Sequence, residues 1–600
     1  MDKDIRILFI TLSQRGIPDN YPPYGAMAVI TSLHRAGYKN TFLYNMDVLR
    51  PSREDAIDYI LSFNPDVLAI SSPVSTGYEN CKFFSLEIKR RLPDITVILG
   101  GNLAASAEII LRKTGVDFCV LGEGEKVCSQ ILDRYFPHKS KKDMYDIKGL
   151  AFLDDDKLVV TGYAEQIPKE AIFDVEWDIL DSISVRHYFP RLGKLNQNTL
   201  PFRYFFHNYH DNPESIPIDR LNKTIGVISC SKGCICRCTY CHRFVKGIRI
   251  IPPEIVMERI KELITRFDVG TLFISDECFG VIPQWLQKFC ELIKPLDLLW
   301  KVGGMRVDSV TPELIEIMKD AGCRTIIYGM ESGSEKILKI MEKRVPLEEN
   351  YNAVQWTLNA GLHTIVQLVI GMPGETPETI RETKKFLSDL IKITSKKSQN
   401  PREISINFAQ ALPGTPLYEY ARSIGKIGQT LEDEEQYLLT ISDRDAADSA
   451  TTINFTGYPR LTLLSWPLLL ISCVNYSYIR LFGLDHYFKW IFNGKQPPNL
   501  LCLVQTFLRT GKLGLFDRYP VAVYKARSLL WIVSLVRVAR KEGLIKSLCL
   551  FKEFLLFHIK RPFKKKIFPW EYRSLRKIVE EDVDHPYLGS PEMVALRRGR

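Results

Sequence analysis

The stretch of residues 230–244, CSKGCICRCTYCHRF, holds five cysteines within twelve positions and decides how the rest of the chain is interpreted. Within it, Cys234, Cys238 and Cys241 have the spacing CxxxCxxC. Thiolates are the usual ligands of iron–sulfur clusters, which normally take four of them. Three cysteines would leave one iron without a protein ligand, the arrangement by which a catalytic metal keeps a position open for a small molecule.

Two further cysteines leave an alternative open. Cys230 stands four residues before the motif and Cys236 falls inside it, so a structural zinc site with four cysteines is the other interpretation. Structural zinc loops usually pair their ligands as CxxC with a second pair downstream. The sequence contains no such second pair, which favours the cluster.

The CxxxCxxC spacing resembles the signature of the radical S-adenosylmethionine (SAM) enzymes. The resemblance implies that Cys234, Cys238 and Cys241 hold a 4Fe-4S cluster, and that Tyr240 lies near the adenine of SAM. In that family the unique iron chelates the amino and carboxylate groups of SAM, and an electron from the cluster cleaves SAM to a 5′-deoxyadenosyl radical. It further implies an electron donor such as flavodoxin or ferredoxin.

Composition is typical of a globular protein. The 600 residues are 46% hydrophobic and 25% charged, and this length suggests roughly three or four domains. Fourteen cysteines, five of them in one stretch, favour a reducing compartment and a metal site over a disulfide framework. The start, MDKDIRILFITLS, leads straight into a strand-like segment, so we expect no signal peptide and a cytoplasmic location. The longest apolar run, 461–474, is interrupted by Pro467 and is expected to be too short to span a bilayer of about 30 Å.

Residues 1–145 predict a doubly wound parallel sheet, because buried strand-like runs alternate with amphipathic helical segments. Such a sheet binds ligands in the crevice beyond the carboxyl ends of its strands. Small residues at those ends let a bulky, flat ligand approach the backbone. The candidates for this role are Ser72, Ser75, Gly100, Gly101, Asn102, Gly122, Glu123 and Gly124.

The order of PPYGAMAVITSLHRAG, GGNLAASAE and GEGE resembles the cobalamin-binding domain that precedes many radical SAM domains. The resemblance covers nearly all of residues 5–136 and implies that cobalamin binds in the crevice. The DxHxxG motif, whose His ligates cobalt in other cobalamin proteins, is missing, since Ser32 occupies the Asp position before His34. We therefore expect no His ligand beneath the cobalt, and His34 to be an exposed helix residue. The alternative is a structural Rossmann-like domain whose glycines only cap helices and form turns.

Residues 146–220 are the predicted connector. The segment GLAFLDDDKLVVTG predicts a hairpin, because apolar residues alternate on either side of an Asp-rich turn. The segments after it are aromatic and irregular, and long loops are often functional. We favour a structural role, pinning the linker to its neighbours, for Tyr204, Phe205, Phe206, His207, Tyr209 and His210.

Residues 221–425 contain six predicted parallel strands with intervening helices, beginning with TIGVIS at 224–229. Thr311-Pro312 and Thr376-Pro377 are typical helix starts, with Thr as the N-cap and Pro at the first helical position. A six-stranded partial barrel is the fold of the radical SAM enzymes. Active residues of βα barrels lie at the C-terminal ends of the strands, where this sequence has Asp276, Glu277, Arg306, Gly329, Glu331, Ser332, Gly333 and Gln367.

Four segments, FISDECFG, GMESGSEKILKIMEK, IGMPGET and ALPGTPLYEYA, resemble their counterparts in the cobalamin-dependent branch of that superfamily. The resemblance implies that Glu331 and Ser332 contact the ribose or amino end of SAM, and that the backbone near Asp276 helps to hold its amino group. Arg306 is expected to pair with the SAM carboxylate, and Gln367 is assigned to the same site. The alternatives are that Asp276 and Ser332 are helix caps and that Arg306 pairs with a nearby acid.

Residues 426–600 predict a mainly helical, basic domain outside the core that the family shares. Residues 451–600 hold 25 Lys and Arg against 10 Asp and Glu, whereas residues 1–450 hold 55 against 60. Apolar residues at helical spacing alternate with basic ones here. Such a segment either packs on its own domain, which we favour, or lies on an anionic membrane surface to meet a lipid or polyprenyl substrate. Nucleic acid is not an expected partner, since no recognisable RNA-binding module accompanies the charge.

Over residues 5–425 the chain resembles the cobalamin-dependent radical SAM enzymes, which include anaerobic magnesium-protoporphyrin ester cyclase and many carbon methylases. The resemblance implies methylation of an unactivated carbon in a small-molecule or lipid-like substrate. Cyclisation, oxidation or rearrangement without methyl transfer is the alternative. An RNA methylthiotransferase would need Cys81, Cys119 and Cys128 to converge, but these fall in a predicted strand and two predicted helices. A zinc protein that binds nucleic acid is the remaining class.

Overall fold

The computed structural model describes residues 4–195, 205, 218–242, 245, 247–393, 404–446, 448–487 and 530–560. Phe205 is the described one of the six connector residues singled out in the sequence, and it packs in a small core beside Phe273. The predictions for Tyr204, Phe206, His207, Tyr209 and His210 lie outside the described residues.

The N-terminal domain is built on a seven-stranded sheet with the order β2-β1-β3-β4-β5-β6-β7. Alternate residues of β1 enter two different cores, Ile7 and Phe9 on one face and Leu8 and Ile10 on the other. Because helices cover both faces, the strands are apolar throughout, and the predicted doubly wound sheet is confirmed. The first five strands are parallel and are β1 (Ile7–Thr11), β2 (Thr41–Tyr44), β3 (Val67–Ser71), β4 (Thr96–Gly100) and β5 (Phe118–Val120).

Helices α1 and α6 pack on one face of this sheet, and α3, α4 and α5 pack on the other. The six helices are α1 (Tyr24–Arg35), α2 (Met46–Leu49), α3 (Arg53–Phe63), α4 (Tyr78–Arg91), α5 (Ala107–Lys113) and α6 (Gly124–Tyr135). The predicted hairpin is present as β6 (Leu150–Asp154) and β7 (Lys157–Val160). Since β6 pairs antiparallel with β5, the first part of the predicted connector belongs to this sheet. The domain boundaries themselves stay predictions.

The second sheet has six parallel strands in the order β15-β14-β13-β12-β11-β8. It is open, with β8 and β15 as its edges, so the predicted partial barrel is confirmed. Its strands are β8 (Thr224–Ile228), β11 (Val269–Phe279), β12 (Leu299–Met305), β13 (Cys323–Glu331), β14 (His363–Ile370) and β15 (Ile404–Phe408). A short antiparallel ribbon, β9 (Ser231–Gly233) with β10 (Ile248–Ile250), stands beside β8.

Eight helices among the described residues precede, flank or connect the barrel strands. They are α7 (Ser182–Tyr188), α8 (Ile218–Asn222), α9 (Pro253–Phe267), α10 (Pro283–Ile293), α11 (Pro312–Asp320), α12 (Glu335–Ile340), α13 (Leu347–Asn359) and α14 (Pro377–Ile393). The Thr311 hydroxyl accepts a hydrogen bond from the Leu314 amide at 3.3 Å, so the predicted N-cap of α11 is confirmed.

The predicted helical character of the C-terminal region is confirmed for its described residues. Helix α15 (Pro416–Ser423) still belongs to the predicted barrel region, and the helices after residue 426 are α16 (Leu431–Ile441), α17 (Arg460–Phe482), α18 (Leu530–Glu542) and α19 (Leu544–Lys560). Helix α16 joins the barrel side to the N-terminal domain, since Glu435 accepts a hydrogen bond from the Tyr78 hydroxyl at 2.6 Å. Just beyond this helix, the Asp443 amide donates to the Thr76 carbonyl at 2.9 Å.

Helix α17 corrects one prediction. Pro467 lies inside it, and the helix continues for 23 residues, about 34 Å at the usual rise per residue. By length and composition it is the single helix in the described part of the chain that could cross a membrane. More than half (56%) of its most apolar window is buried inside the protein, where it packs on α14 and α18. Tertiary packing thus maintains a helix across a proline that the sequence indicated as an interruption.

Candidate active site

A cavity of about 450 Å³ lies between the carboxyl ends of the N-terminal strands and the C-terminal ends of β8 and β11. We call it the interdomain cavity. Its volume is in the range of small-molecule and cofactor sites. Its N-terminal wall includes Gly100, Gly101, Asn102, Gly122, Glu123 and Gly124, and its barrel wall includes Ser229, Ser231, Lys232, Gly233, Ser275 and Glu277. Six of the eight residues predicted for cobalamin therefore share one wall.

The ends of β4 and β5 meet the cavity with glycines and backbone, while other parts of the N-terminal wall present side chains such as Tyr21, Asn45 and Asp47. No atom lies within 4 Å of the position that a Cβ on Gly100 would occupy, so the strand end is open to a ligand there. Gly101 has a φ of +99°, and a Cβ on it would stand 2.2 Å from the Ser72 carbonyl oxygen. Only glycine adopts such a conformation without strain. This bare wall fits a large, flat group such as a corrin ring.

Ser72 and Ser75 do not line the cavity, and their role as cofactor residues stays a prediction. Both are buried, and the Ser72 hydroxyl donates to the Val74 carbonyl at 3.0 Å. The turn after β3 instead presents Ser71 and Pro73 to the cavity. Neighbouring residues of an extended chain point in opposite directions. The cavity therefore meets Ser71 and Pro73 and not Ser72 between them.

Glu123 lines the cavity but uses its carboxylate to join the two walls. Its Oε1 lies 3.1 Å from the Lys232 ammonium on β9, and it accepts hydrogen bonds from Arg249 on β10. The Ile167 amide donates to its other oxygen at 2.7 Å. Burial raises the pKa of Glu123, but the Arg249 hydrogen bond and the Lys232 charge outweigh it and leave this pKa below its ordinary value. The carboxylate is thus charged and fully paired.

The cysteine loop is fixed where it leaves the ribbon and again at its far end. The buried Asp276 carboxylate accepts from the Cys230 amide at 2.7 Å and from the Ser231 hydroxyl at 2.7 Å. Burial raises the pKa of Asp276 to about 7, although these hydrogen bonds oppose the shift. At the far end, the Thr239 amide donates to the Met341 carbonyl at 3.0 Å. Asp276 therefore caps the loop and does not line the interdomain cavity.

The Cys236 thiol is hydrogen-bonded to the thiols of both Cys234 and Cys238, and Cys278 on β11 is hydrogen-bonded to Cys234. Cys241 is exposed at the loop surface, and its thiol donates to the His242 carbonyl at 3.6 Å. No group of three or more His, Cys, Asp or Glu side chains in the described part of the chain surrounds a single ion position. A 4Fe-4S cluster has a thiolate on each of several irons, so its ligands need not converge on one point.

Positive charge adjoins these thiols. The Arg306 guanidinium donates to the Cys236 sulfur, and the positive charge of Lys343 favours the thiolate form of both Cys236 and Cys238. Nearby cations favour the thiolate, which is the form that binds metal. Thiols beside cations fit an iron–sulfur cluster better than they fit an apolar core. Arg306 also donates to both carboxylate oxygens of Asp308, at 2.7 and 2.5 Å, as the alternative for this residue stated.

Two residues predicted to meet SAM contact each other. The Tyr240 hydroxyl and the Glu331 carboxylate are hydrogen-bonded, and Lys343 donates to Glu331 at 3.1 Å. Burial and the Glu331 charge raise the pKa of Tyr240 well above its usual value. Glu331 has a φ of +66°, a left-handed conformation that is uncommon outside glycine and concentrates at functional sites. The group joins the cysteine loop to the end of β13.

Ser332 and Gln367 lie apart from this contact. Ser332 is buried, accepts from the Ser334 amide at 3.2 Å and lies 3.4 Å from the Thr383 hydroxyl, so it supports the turn after β13. Gln367 is on β14 with an exposed side chain and does not line the interdomain cavity.

Sequence reasoning missed four residues, and none carried a local signal. Lys232 and Arg249 bind Glu123 from more than a hundred positions away, and Lys343 meets Glu331 only because α12 turns the chain back. Cys278 has no cysteine neighbour in sequence, and β11 brings it to Cys234.

His34 corrects another expectation. It lies on α1 as predicted but is half-buried rather than exposed, with its ring nitrogens 2.7 Å from the Glu176 carboxylate and 3.0 Å from the Thr41 carbonyl. These contacts hold α1 to the connector.

The cysteines that a second cluster would need do not assemble. Cys81 and Cys119 are buried in one core of the N-terminal domain, whereas Cys128 belongs to the core on the other face. Burial raises the pKa of all three thiols.

Comparison with known proteins agrees with this architecture. Residues 228–387 match the model of the radical SAM superfamily, and residues 16–132 match that of the B12 binding domain. The chain therefore contains a B12-binding domain followed by a radical SAM domain. The radical SAM domain implies a 4Fe-4S cluster and SAM, and the B12-binding domain implies cobalamin. These are the three predicted cofactors.

Two individual proteins are similar to the chain over most of their length. The anaerobic magnesium-protoporphyrin IX monomethyl ester cyclase of Rubrivivax gelatinosus is 25% identical over 397 residues, which are 64% of this chain and 66% of that protein. The chain thus spans just under two thirds of the cyclase. A cytidylyl-2-hydroxyethylphosphonate methyltransferase of Streptomyces wedmorensis is 22% identical over 389 residues, 60% of this chain and 69% of that one.

Among solved structures, OxsB has a similar fold. It is a cobalamin-dependent S-adenosylmethionine radical enzyme, solved with aqua-cobalamin and S-adenosylmethionine bound. The similarity has a TM-score of 0.57 at 15% identity and covers 99% of this chain and 83% of that one.

Proposed function

We propose that this protein is a cobalamin-dependent radical SAM methyltransferase acting on an unactivated carbon of a small-molecule or lipid-like substrate. One observation carries the proposal: the cysteine loop adjoins the interdomain cavity at two places. Gly233 lines the cavity and is followed directly by Cys234; Glu277 lines it and is followed by Cys278, which contacts Cys234. A cofactor site in the B12-binding domain and a thiol site in the barrel would therefore border the same cavity.

The residues divide the work between the two walls. Cys234, Cys238 and Cys241 would hold the cluster, with Tyr240 and Glu331 beside SAM. The open backbone at Gly100, Gly101, Asn102, Gly122 and Gly124 would receive cobalamin. When bound, the cluster and SAM supply a radical able to abstract hydrogen, and cobalamin supplies a methyl group.

The chain's own groups orient these sites and exclude water. Asp276 and Thr239 hold the loop, while the Glu123 ion pairs keep the barrel ribbon against the N-terminal wall. Closing the space between the walls protects a reactive centre from solvent. Glu277 is the carboxylate that the end of β11 presents to the cavity; burial raises its pKa, and the charge of Lys232 opposes the shift. It is suited to accept a hydrogen bond from a substrate hydroxyl or ammonium.

Methyl transfer is supported by the similarity to a methyltransferase, whereas the similarity to an ester cyclase favours a second candidate. In that candidate both cofactors are kept, but the substrate is cyclised or oxidised without gaining a methyl group. An electron donor such as flavodoxin or ferredoxin and a cytoplasmic location belong to the same proposal.

The test is anaerobic reconstitution with iron, sulfide and hydroxocobalamin, followed by desalting and metal analysis. We expect retained cobalt and about four irons per chain, then 5′-deoxyadenosine and S-adenosylhomocysteine once reductant, SAM and substrate are added. 5′-Deoxyadenosine without S-adenosylhomocysteine would favour the second candidate. Zinc retained in place of iron would overturn both.

A further inference from the structure

Helix α19 carries an apolar face that the rest of the described chain leaves exposed. Six large side chains form it, and we call them the α19 outer face: Leu544, Ile545, Leu548, Leu555, Leu556 and Ile559, each between 42% and 80% exposed. At 100° per residue they fall within an arc of about 120° on one side of the helix. Scattered exposed leucines are ordinary, but a contiguous stripe of six on one helix marks an interaction surface.

The opposite side of α19 is firmly packed. Phe551 and Phe554 stack on Trp531 of α18, with ring centroids 5.7 and 5.2 Å apart, and Phe557 lies 5.8 Å from Tyr458. The Ser547 hydroxyl donates to the Leu535 carbonyl at 3.0 Å. Since the aromatic side holds the helix in place, the leucines and isoleucines on the other side are free to meet a partner.

Basic residues accompany this face. Residues 530–560 contain six Lys and Arg against two Glu. Lys552 lies within the arc of the outer face, where its alkyl stem can lie along apolar groups while its ammonium reaches a polar layer. The sequence continues directly into Arg561 and then Lys564, Lys565 and Lys566, which lie outside the described residues.

We propose that the α19 outer face docks on an anionic lipid bilayer, with the helix in the plane of the interface. An amphipathic helix binds this way when its apolar face enters the headgroup boundary and its Lys and Arg meet anionic headgroups. A second copy of the chain fits less well, because it would bring two basic surfaces together, and like charges across an interface are costly.

Other exposed apolar side chains lie on or beside the helices that pack with α19. Leu481 and Leu484, at the end of α17 and just beyond it, are 45% and 46% exposed, and Ile532 of α18 is 41% exposed. Helices α17, α18 and α19 pack on one another. None of the residues on the α19 outer face lines the interdomain cavity, so docking is independent of the proposed chemistry.

The experiment is vesicle flotation of the full-length reconstituted protein, with vesicles of phosphatidylcholine alone or mixed with phosphatidylglycerol. We expect the wild type to float with the mixed vesicles, and the bound fraction to fall as salt is raised. The double substitution Leu548→Ser with Ile559→Ser should lower the partition coefficient by about tenfold or more, because two apolar side chains are lost from the interface. A matched control, Leu86→Ser with Ile317→Ser, changes exposed residues on α4 and α11 and should float like the wild type.

Iron content and circular dichroism of each variant would show that the fold and cluster site are intact. A wild type that stays with the lipid-free fractions overturns the proposal, as does a Leu548/Ile559 variant that binds as the wild type does. Sedimentation velocity provides the remaining test: a dimer that this variant dissociates, without vesicle binding, would assign the face to a second copy. Failure to retain cobalt would affect the proposed function alone.

Discussion

The two walls of the interdomain cavity are built from opposite materials. Where β4 and β5 end, the N-terminal wall is glycine and backbone, with Gly101 and Gly122 at positive φ; elsewhere it presents side chains such as Tyr21, Asn45 and Asp47. The barrel wall carries charge, with Lys232 and Glu277 facing the cavity and thiols immediately behind them. In the proposed function, the strand ends of the N-terminal wall recognise the shape of a cofactor, and the barrel side supplies the reactive groups. A ligand held between them needs a broad, flat side and a reactive side.

The walls also differ in how they are stabilised. Backbone conformation fixes the glycine strand ends of the N-terminal wall, whereas Glu123 on the same wall is held by ion pairs to the barrel side. Specific hydrogen bonds and ion pairs fix the barrel wall, as Asp276 does for the loop and Glu123 for the ribbon. Substitutions should therefore act on the barrel wall through charge and metal binding, and on the N-terminal wall through steric fit.

The largest effect is expected at the thiols. Cys234→Ala should abolish SAM cleavage and lower the iron content, because the cluster would lose one of three ligands. Cys236→Ala is the matched variant, in the same loop and hydrogen-bonded to the same thiols, and it should retain iron and 5′-deoxyadenosine formation. Iron analysis and product chromatography measure both. Cleavage that survives Cys234→Ala, or is lost only in Cys236→Ala, would reverse the assignment.

The next largest effect is expected where the walls meet. Glu123→Ala would leave Lys232 and Arg249 without their shared carboxylate, and breaking such a buried pair costs about 3 kcal/mol. Faster hydrogen exchange in β9 and β10, together with a lower melting temperature, would report the loss. Glu123→Gln removes the charge but keeps the shape. Its melting temperature and its exchange rates in β9 and β10 should lie between those of the wild type and of Glu123→Ala. Unchanged exchange in Glu123→Ala would show that the walls are held by other contacts.

The same link predicts a pH dependence. The folded-state pKa of Glu123 lies below its unfolded value, so the stabilisation is present at neutral pH and is lost as the pH falls through the folded-state pKa. The difference in melting temperature between wild type and Glu123→Gln should therefore shrink on acidification. A difference that is constant from pH 7 to acid would mean that the carboxylate charge is not what joins the walls.

The smallest effect is expected on the N-terminal wall. Gly101→Ala would place a Cβ 2.2 Å from the Ser72 carbonyl at a φ of +99°, costing about 1–3 kcal/mol of strain. Weaker cobalamin retention with normal iron content is the expected result, measured by absorbance after desalting. Gly16→Ala is the control, because its Cβ would meet no atom within 4 Å. Equal cobalamin retention in the two variants would show that the wall tolerates movement at Gly101.

Much of the fold was predictable because its signals are local. Alternating apolar strands and amphipathic helices gave both sheets, and Thr311 gave the cap of α11. The cysteine spacing predicted the cluster site without reference to the structure. Where a prediction was wrong, the cause was packing, as with the tertiary contacts that carry α17 through Pro467.

The sequence by itself determined the fold class of both sheets, because the periodicity of strands and helices is a property of short segments. Its resemblance to a known family implied the cofactor set. Only the tertiary structure decided which charged groups meet. Glu123 finds Lys232 and Arg249, Cys278 finds Cys234, and Lys343 finds Glu331 across gaps that no local pattern encodes. The outer face of α19 is a tertiary result as well, since its apolar period was visible in sequence but the side that packs inward was not. Burial and pairing depend on distant neighbours, and folding alone brings those neighbours together.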